Sequence, residues 1–182
     1  MNKNNTRVVL LRKLRSAHKY IGVLLAAFFI VTGLTGVLLG WKKNVETLQP
    51  RTFNGASDNL AGWKSFSQIA EASIAALDTV IKNPSIDRMD VRPDKGIVKV
   101  LFTEGYWEVQ VDGTTGKILS VAQRHSDWIE HLHDGSLISD AFKLAYTNLL
   151  GIGIVILALS GLWLWYGPKV IRRSKENTSL GE

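Results

Sequence analysis

Two stretches of the 182-residue chain carry no charge. Tyr20 to Trp41 reads YIGVLLAAFFIVTGLTGVLLGW and Leu144 to Gly167 reads LAYTNLLGIGIVILALSGLWLWYG. At a rise of about 1.5 Å per residue, each is long enough to cross a hydrocarbon core of about 30 Å as a helix. The first lacks the short apolar core and small-residue cleavage site of a secretory leader and runs into Trp41-Lys42-Lys43, so it reads as a retained span. Trp41, Trp163, Trp165 and Tyr166 close the two spans and suit rings anchored at headgroup level.

Between the spans the period changes. Residues 44–60 hold Pro50, Gly55 and several Asn, Ser and Thr without sustained periodicity, and read as a linker. From Ser65 to Ile81, the positions Phe66, Ile69, Ala70, Ile74, Leu77 and Ile81 fall on one face of a helix. Ser65 or Ser67 is available as its cap, and Asn83-Pro84 stops it. Short alternating runs follow at Ile86–Val91, Ile97–Phe102, Tyr106–Val111 and Ile118–Val121, separated by glycine-bearing turns. A helix and about four antiparallel strands make an α+β unit, with one sheet face under the helix and the other exposed.

The chain therefore divides into a basic segment 1–19, a first transmembrane helix 20–41, a linker 42–64, an α+β domain 65–122, a helical segment with histidines at the membrane mouth 123–143, a second transmembrane helix 144–167 and a tail 168–182.

The net charge of +6 is a signal of topology once it is divided along the chain. Residues 1–19 hold six Lys or Arg and no acid, and residues 168–182 hold four against two Glu. Residues 42–143 hold twelve basic and fourteen acidic residues, a net of −2. The positive-inside rule places both ends in the cytoplasm and the central domain outside, in the periplasm of a bacterial inner-membrane protein. The basic character is thus assigned to the lipid bilayer, and no nucleic-acid partner is expected. With no cysteine in the chain, disulfides, iron–sulfur clusters and thiolate metal sites are excluded.

Several segments resemble one family. The run Tyr106-Trp107-Glu108-Val109-Gln110-Val111-Asp112-Gly113-Thr114-Thr115-Gly116-Lys117-Ile118-Leu119 resembles the last hairpin of a PepSY domain. Arg15-Ser16-Ala17-His18-Lys19-Tyr20-Ile21-Gly22 resembles the R-x-x-H-x-x-x-G opening of PepSY-associated transmembrane proteins. His131-Leu132-His133-Asp134-Gly135 and Leu159-Ser160-Gly161-Leu162-Trp163-Leu164-Trp165 resemble their L-H-x-G and S-G-L-x-L-W elements. The likeness runs over residues 11–168 and implies that the central domain is a PepSY domain. Larger members commonly have four spans where this chain has two, so two copies would supply the same number.

Four histidines occur, at 18, 125, 131 and 133. His18 reads either as a member of the basic collar with Arg12, Lys13, Arg15 and Lys19 or as a ligand. His131 and His133 read either as the polar start of a helix that continues into the membrane or as ligands. Two residues apart on a helix they point about 200° from each other, so one of them faces the bundle. The family motif selects His133 and leaves His131 as a secondary candidate. Zinc would need three or four ligands, and His125, Glu130, His131 and Asp134 follow no zinc spacing. Haem needs axial ligands, apolar walls and cations for its propionates, a part open to Arg15. Gly22, Gly33, Gly36 and Gly40 on the first span, and Gly151, Gly153, Ser160 and Gly161 on the second, are small enough to admit a macrocycle or simply to pack helices.

His18 and His133 lie at opposite ends of the spans, about 30 Å apart, whereas the two axial nitrogens of one haem are about 4 Å apart. If haem b binds, the consistent arrangement is a homodimer in which each histidine pairs with its symmetry mate. The resemblance implies an electron-transfer protein, related to ferric-siderophore reductases or serving as a subunit of a larger redox complex, that passes electrons across the membrane to a periplasmic acceptor. The alternative is a tethered PepSY module that binds a peptide or protein partner on its exposed sheet face or edge without a cofactor. A hydrolase finds no support, since no G-x-S-x-G or H-E-x-x-H is present and Asp127, Glu130 and Asp134 read as solvated surface.

Overall fold

The computed structural model describes residues 3–78 and 80–179, with side chains from residue 6 to residue 173 apart from residue 79. Helix α1 spans Lys3–Trp41 and helix α4 spans Asp140–Ser179. Both extend past the apolar segments expected from the sequence. Charge marks where the hydrocarbon core ends, but Lys and Arg are good helix formers and the backbone ladder continues through them.

Along these two helices the usual burial order is inverted. Leu25, Tyr146 and Leu150 form the buried cluster, whereas Val23, Leu24, Leu34, Leu144, Ile152 and Leu159 are more than 60 % exposed. A core helix of a water-soluble protein would hide such residues. Here lipid is the solvent they fit, and Trp41 and Trp165 stand exposed at the ends of the apolar stretches.

The helices pack as an antiparallel hairpin. The contacts run in order along both: Leu11 lies against Gly167, His18 against Gly161, Gly22 against Leu157, Leu25 against Gly153, and Thr32 against Tyr146. A Cβ at Gly153 would overlap the Leu25 side chain, so glycine is what allows this approach. The small residues fall into two sets, because Gly33, Gly40 and Gly151 have nothing within 4 Å of a Cβ position. The first set packs the hairpin, and the second leaves open notches on it.

The central unit, residues 35–131, has its own core. Helix α2, Phe66–Leu77, begins at the Ser65 cap in a reciprocal capping box with Gln68. It ends earlier than the periodicity predicts, with Asp78 as its C-cap. Strands β1 (Ile86–Arg92), β2 (Ile97–Phe102), β3 (Trp107–Asp112) and β4 (Ile118–Gln123) form an antiparallel meander in the order β1-β2-β3-β4. The period-2 apolar positions Val98, Val100, Phe102, Val109 and Val111 pack on Ile69 and Leu77 of α2.

The opposite face of the sheet is not exposed as expected. Ile97, Lys99, Leu101, Glu108, Gln110 and Asp112 are all buried. The supposed linker covers part of this face and is held there by hydrogen bonds. The amide of Phe53 donates to Gln110 Oε1 (3.0 Å), Gln110 Nε2 donates to the Arg51 carbonyl (2.8 Å), and the amide of Ala56 donates to Asp112 Oδ2 (2.9 Å). Residues 48–57 are thus a strap. A polar sheet face can be buried when its groups are paired, which hydrophobic period alone does not reveal.

Helix α3, His125–Asp134, is separate from α4. Gly135, at φ +80°, breaks the ladder, and α4 starts at Asp140. The reading of His131 and His133 as the polar start of the membrane helix is therefore corrected: they belong to a distinct helix before it.

Candidate functional site

His18 lies on the inner side of the hairpin, half-buried, with its Nδ1 2.7 Å from Ser160 Oγ. The protonation of this pair follows from the serine. Ser160 Oγ is 2.6 Å from the Ile156 carbonyl, an atom that can only accept, so the single hydroxyl proton points there. Toward the imidazole Ser160 must then act as acceptor. The neutral His18 ring accordingly carries its proton on Nδ1 and its lone pair on Nε2. Gly161 leaves room for the ring, since a Cβ there would lie 3.5 Å from His18 Cε1. A ring nitrogen held by an acceptor while the other is left basic is the arrangement that metal-ligating histidines use. Ser160 thus holds the His18 ring from the facing helix through one nitrogen.

Arg15 is one helical turn before His18 and exposed. It lines a groove of about 370 Å³ together with Arg12 and Arg172. Three guanidinium groups beside an apolar groove suit an amphiphile with carboxylates, as a propionate contact requires.

His133, half-buried at the end of α3, is distant from His18 along the hairpin. Gly135 packs against Tyr146, whose hydroxyl is 2.7 Å from Thr32 Oγ1. Thr32 is fourteen residues beyond His18 on α1, about 21 Å along the helix. The two histidines thus belong to different levels of the hairpin. Beside His133, Asp134 pairs with Lys143 at 2.6 Å and accepts from the Ser136 amide at 2.9 Å. Burial alone would raise the Asp134 carboxyl, but the Lys143 and Ser136 bonds outweigh it and hold it down to about 2.

His131 belongs to the central unit, where its ring lies 5.7 Å from that of Tyr106. His125 is exposed at the first turn of α3. Among the described residues no three His, Asp or Glu side chains converge as a metal cage. Asp127 is also not solvated surface: its carboxylate is 3.1 Å from Arg124 Nε and 3.8 Å from Arg88 Nη2. Glu130 remains over half exposed beside Lys42.

Two features escaped the sequence reading. Ser160 lies within the S-G-L-x-L-W element, but its contact with His18 emerges only when α4 is laid against α1. The second is a charged cluster on the covered sheet face. Glu108, wholly buried, accepts from Lys99 Nζ (3.1 Å), Arg124 Nη1 (3.2 Å) and Gln110 Nε2 (2.8 Å). Its signal was the alternation of polar residues on β2 and β3, opposite the valines.

No curated protein matches the chain. The model of one family, the PepSY-associated TM region, matches residues 15–179, nearly the whole sequence, and spans both membrane helices and the domain between them. The chain is a membrane protein that belongs to the PepSY-associated transmembrane family.

Proposed function

We propose that the protein is a haem b electron-transfer protein of the bacterial inner membrane, with both chain ends cytoplasmic and the PepSY domain periplasmic. The observation that carries this reading is the His18–Ser160 pair, which leaves the imidazole Nε2 as a lone-pair donor beside the small residue Gly161. When bound, haem supplies a one-electron ferric–ferrous couple. His18 and His133 would be its axial ligands at two levels of the membrane, Ser160 would orient His18, and Arg15 with its neighbours would meet the propionates.

Because the two levels are about 21 Å apart along the helix, a haem held by two histidines would take its second histidine from another chain. A homodimer with two-fold symmetry provides it. The open notches at Gly33, Gly40 and Gly151 support helix contact with a second copy. The substrate side of such a device is a periplasmic acceptor, of which a ferric chelate is one chemical class. The rival reading, a cofactor-free binding module, is weakened because part of the sheet face it would use is covered by the strap, leaving the edges at β1 and β4.

The test is the absorption spectrum of detergent-purified protein expressed with haem supplied. The expected result is a Soret band with low-spin α and β bands and about one haem per chain, in line with paired histidine ligation. A spectrum without these bands sinks the reading.

A further inference from the structure

The central unit holds a cleft of about 590 Å³ between the strap, the β1–β2 turn and the charged cluster of the covered sheet face. Its size lies in the ordinary range for small-molecule sites. Its lining is unusual for a domain of net −2. Six of the twelve basic residues between 42 and 143 converge on it: Lys99 and Arg124 at the buried cluster, Arg51 from the strap, Arg92 and Lys95 from the turn, and Lys43 just beyond α1. Three carboxylates share the lining. Lys43, Arg51, Arg92 and Lys95 form no ion pair among the described residues. Lys99 and Arg124 are held by Glu108, and Arg124 by Asp127 as well, which fixes the positions of both cations.

We infer that this cleft is a binding site for a small polyanion, bearing phosphate or several carboxylates, independently of whether haem is bound. Convergent cations above fixed charges focus a positive potential, and arginines offer paired donors to phosphate or carboxylate oxygens. The anion could be a free solute or the headgroup of a lipid, since Lys43 lies two residues past the end of a membrane helix.

The experiment uses the full chain in phosphatidylcholine nanodiscs, titrated with inorganic pyrophosphate in a calorimeter at low salt. The wild type should bind with submillimolar affinity. Arg92→Gln/Lys95→Gln, both exposed and outside the buried cluster, should weaken binding at least tenfold with an unchanged circular dichroism spectrum. Arg51→Gln provides a second variant on a different element should the double change disturb folding. Lys82→Gln/Lys117→Gln removes the same charge elsewhere and should leave binding intact.

Native mass spectrometry of protein extracted from membranes containing phosphatidylglycerol separates the sources. Fewer retained lipids in the cleft variant assign a headgroup, and equal retention assigns a free solute. No pyrophosphate binding by the wild type together with equal lipid retention overturns the inference. An equal loss in the Lys82/Lys117 control does so as well, because the effect would then be one of net charge.

Discussion

At the scale of single residues, Ser160 and Glu108 have opposite kinds of work. Ser160 fixes which nitrogen of His18 is basic, through one proton already committed to the Ile156 carbonyl. Ser160→Ala removes the acceptor and leaves the ring free to turn or change tautomer. Loss of such an orienting partner typically costs about 10–100-fold in metal affinity. Haem titration of the apoprotein should show a loss of that order, with Ser160→Thr recovering much of it; an unchanged affinity would remove Ser160 from the site. Glu108 neutralises part of a buried pair of cations. Glu108→Ala would leave Lys99 without a carboxylate and Arg124 with Asp127 alone, and breaking a buried ion pair in this way costs about 3–5 kcal/mol. Urea unfolding of the full chain followed by circular dichroism should show that loss in the domain's transition. A change below about 1 kcal/mol, the level of an exposed pair, would mean that the cluster is effectively solvated.

At the scale of elements, the strap and the hairpin each rest on a close approach that particular residues permit. Asp112 holds both the Asp112–Gly116 turn and the strap, since its carboxylate accepts from the amides of Thr114, Thr115 and Ala56. Burial alone would raise this carboxyl, and the Thr115, Thr114 and Ala56 amides together bring it below the usual carboxylate range. A depressed folded-state value means stability that is present above the unfolded pKa of about 4 and is lost as pH falls through the folded value. Protection of the Ala56 amide, corrected for intrinsic exchange, should therefore hold from neutral pH to about pH 4 and decline below it. In Asp112→Asn the protection should be weak even at pH 7, because one oxygen acceptor becomes a donor facing the Ala56 amide. Equal protection in variant and wild type would show that the strap is held by its other bonds. The same region explains Gly113, where any Cβ would meet the ring of Trp63.

At the scale of the whole molecule, charge and hydropathy bear on different things. The apolar helices make it a membrane protein, while the proposed sidedness rests on the six basic residues of 1–19 and the net −2 of 42–143. The absence of native cysteine makes this checkable with single probes. Lys117→Cys, on an exposed turn of the central unit, should react with an impermeant maleimide added to intact spheroplasts. Arg173→Cys should react only after the membrane is opened. The reverse pattern would invert the topology and place His18 on the outer side.

The sequence by itself determined the two spans, the helix and four strands between them, and the family, because each is written in local period, turn chemistry and motif order. His18 was also legible there as a candidate, by its motif. What only the tertiary structure decided depends on residues far apart in the chain. Ser160 meets His18 across 142 positions, and the strap meets Gln110 and Asp112 across more than fifty. The separation of α3 from α4 turned on the positive φ of one glycine, Gly135. Hydrophobic period reports which face leaves water, and it is blind to a polar face that leaves water by pairing. That is why the covered sheet face, its buried Glu108 and the cationic cleft beside it had to be found in three dimensions.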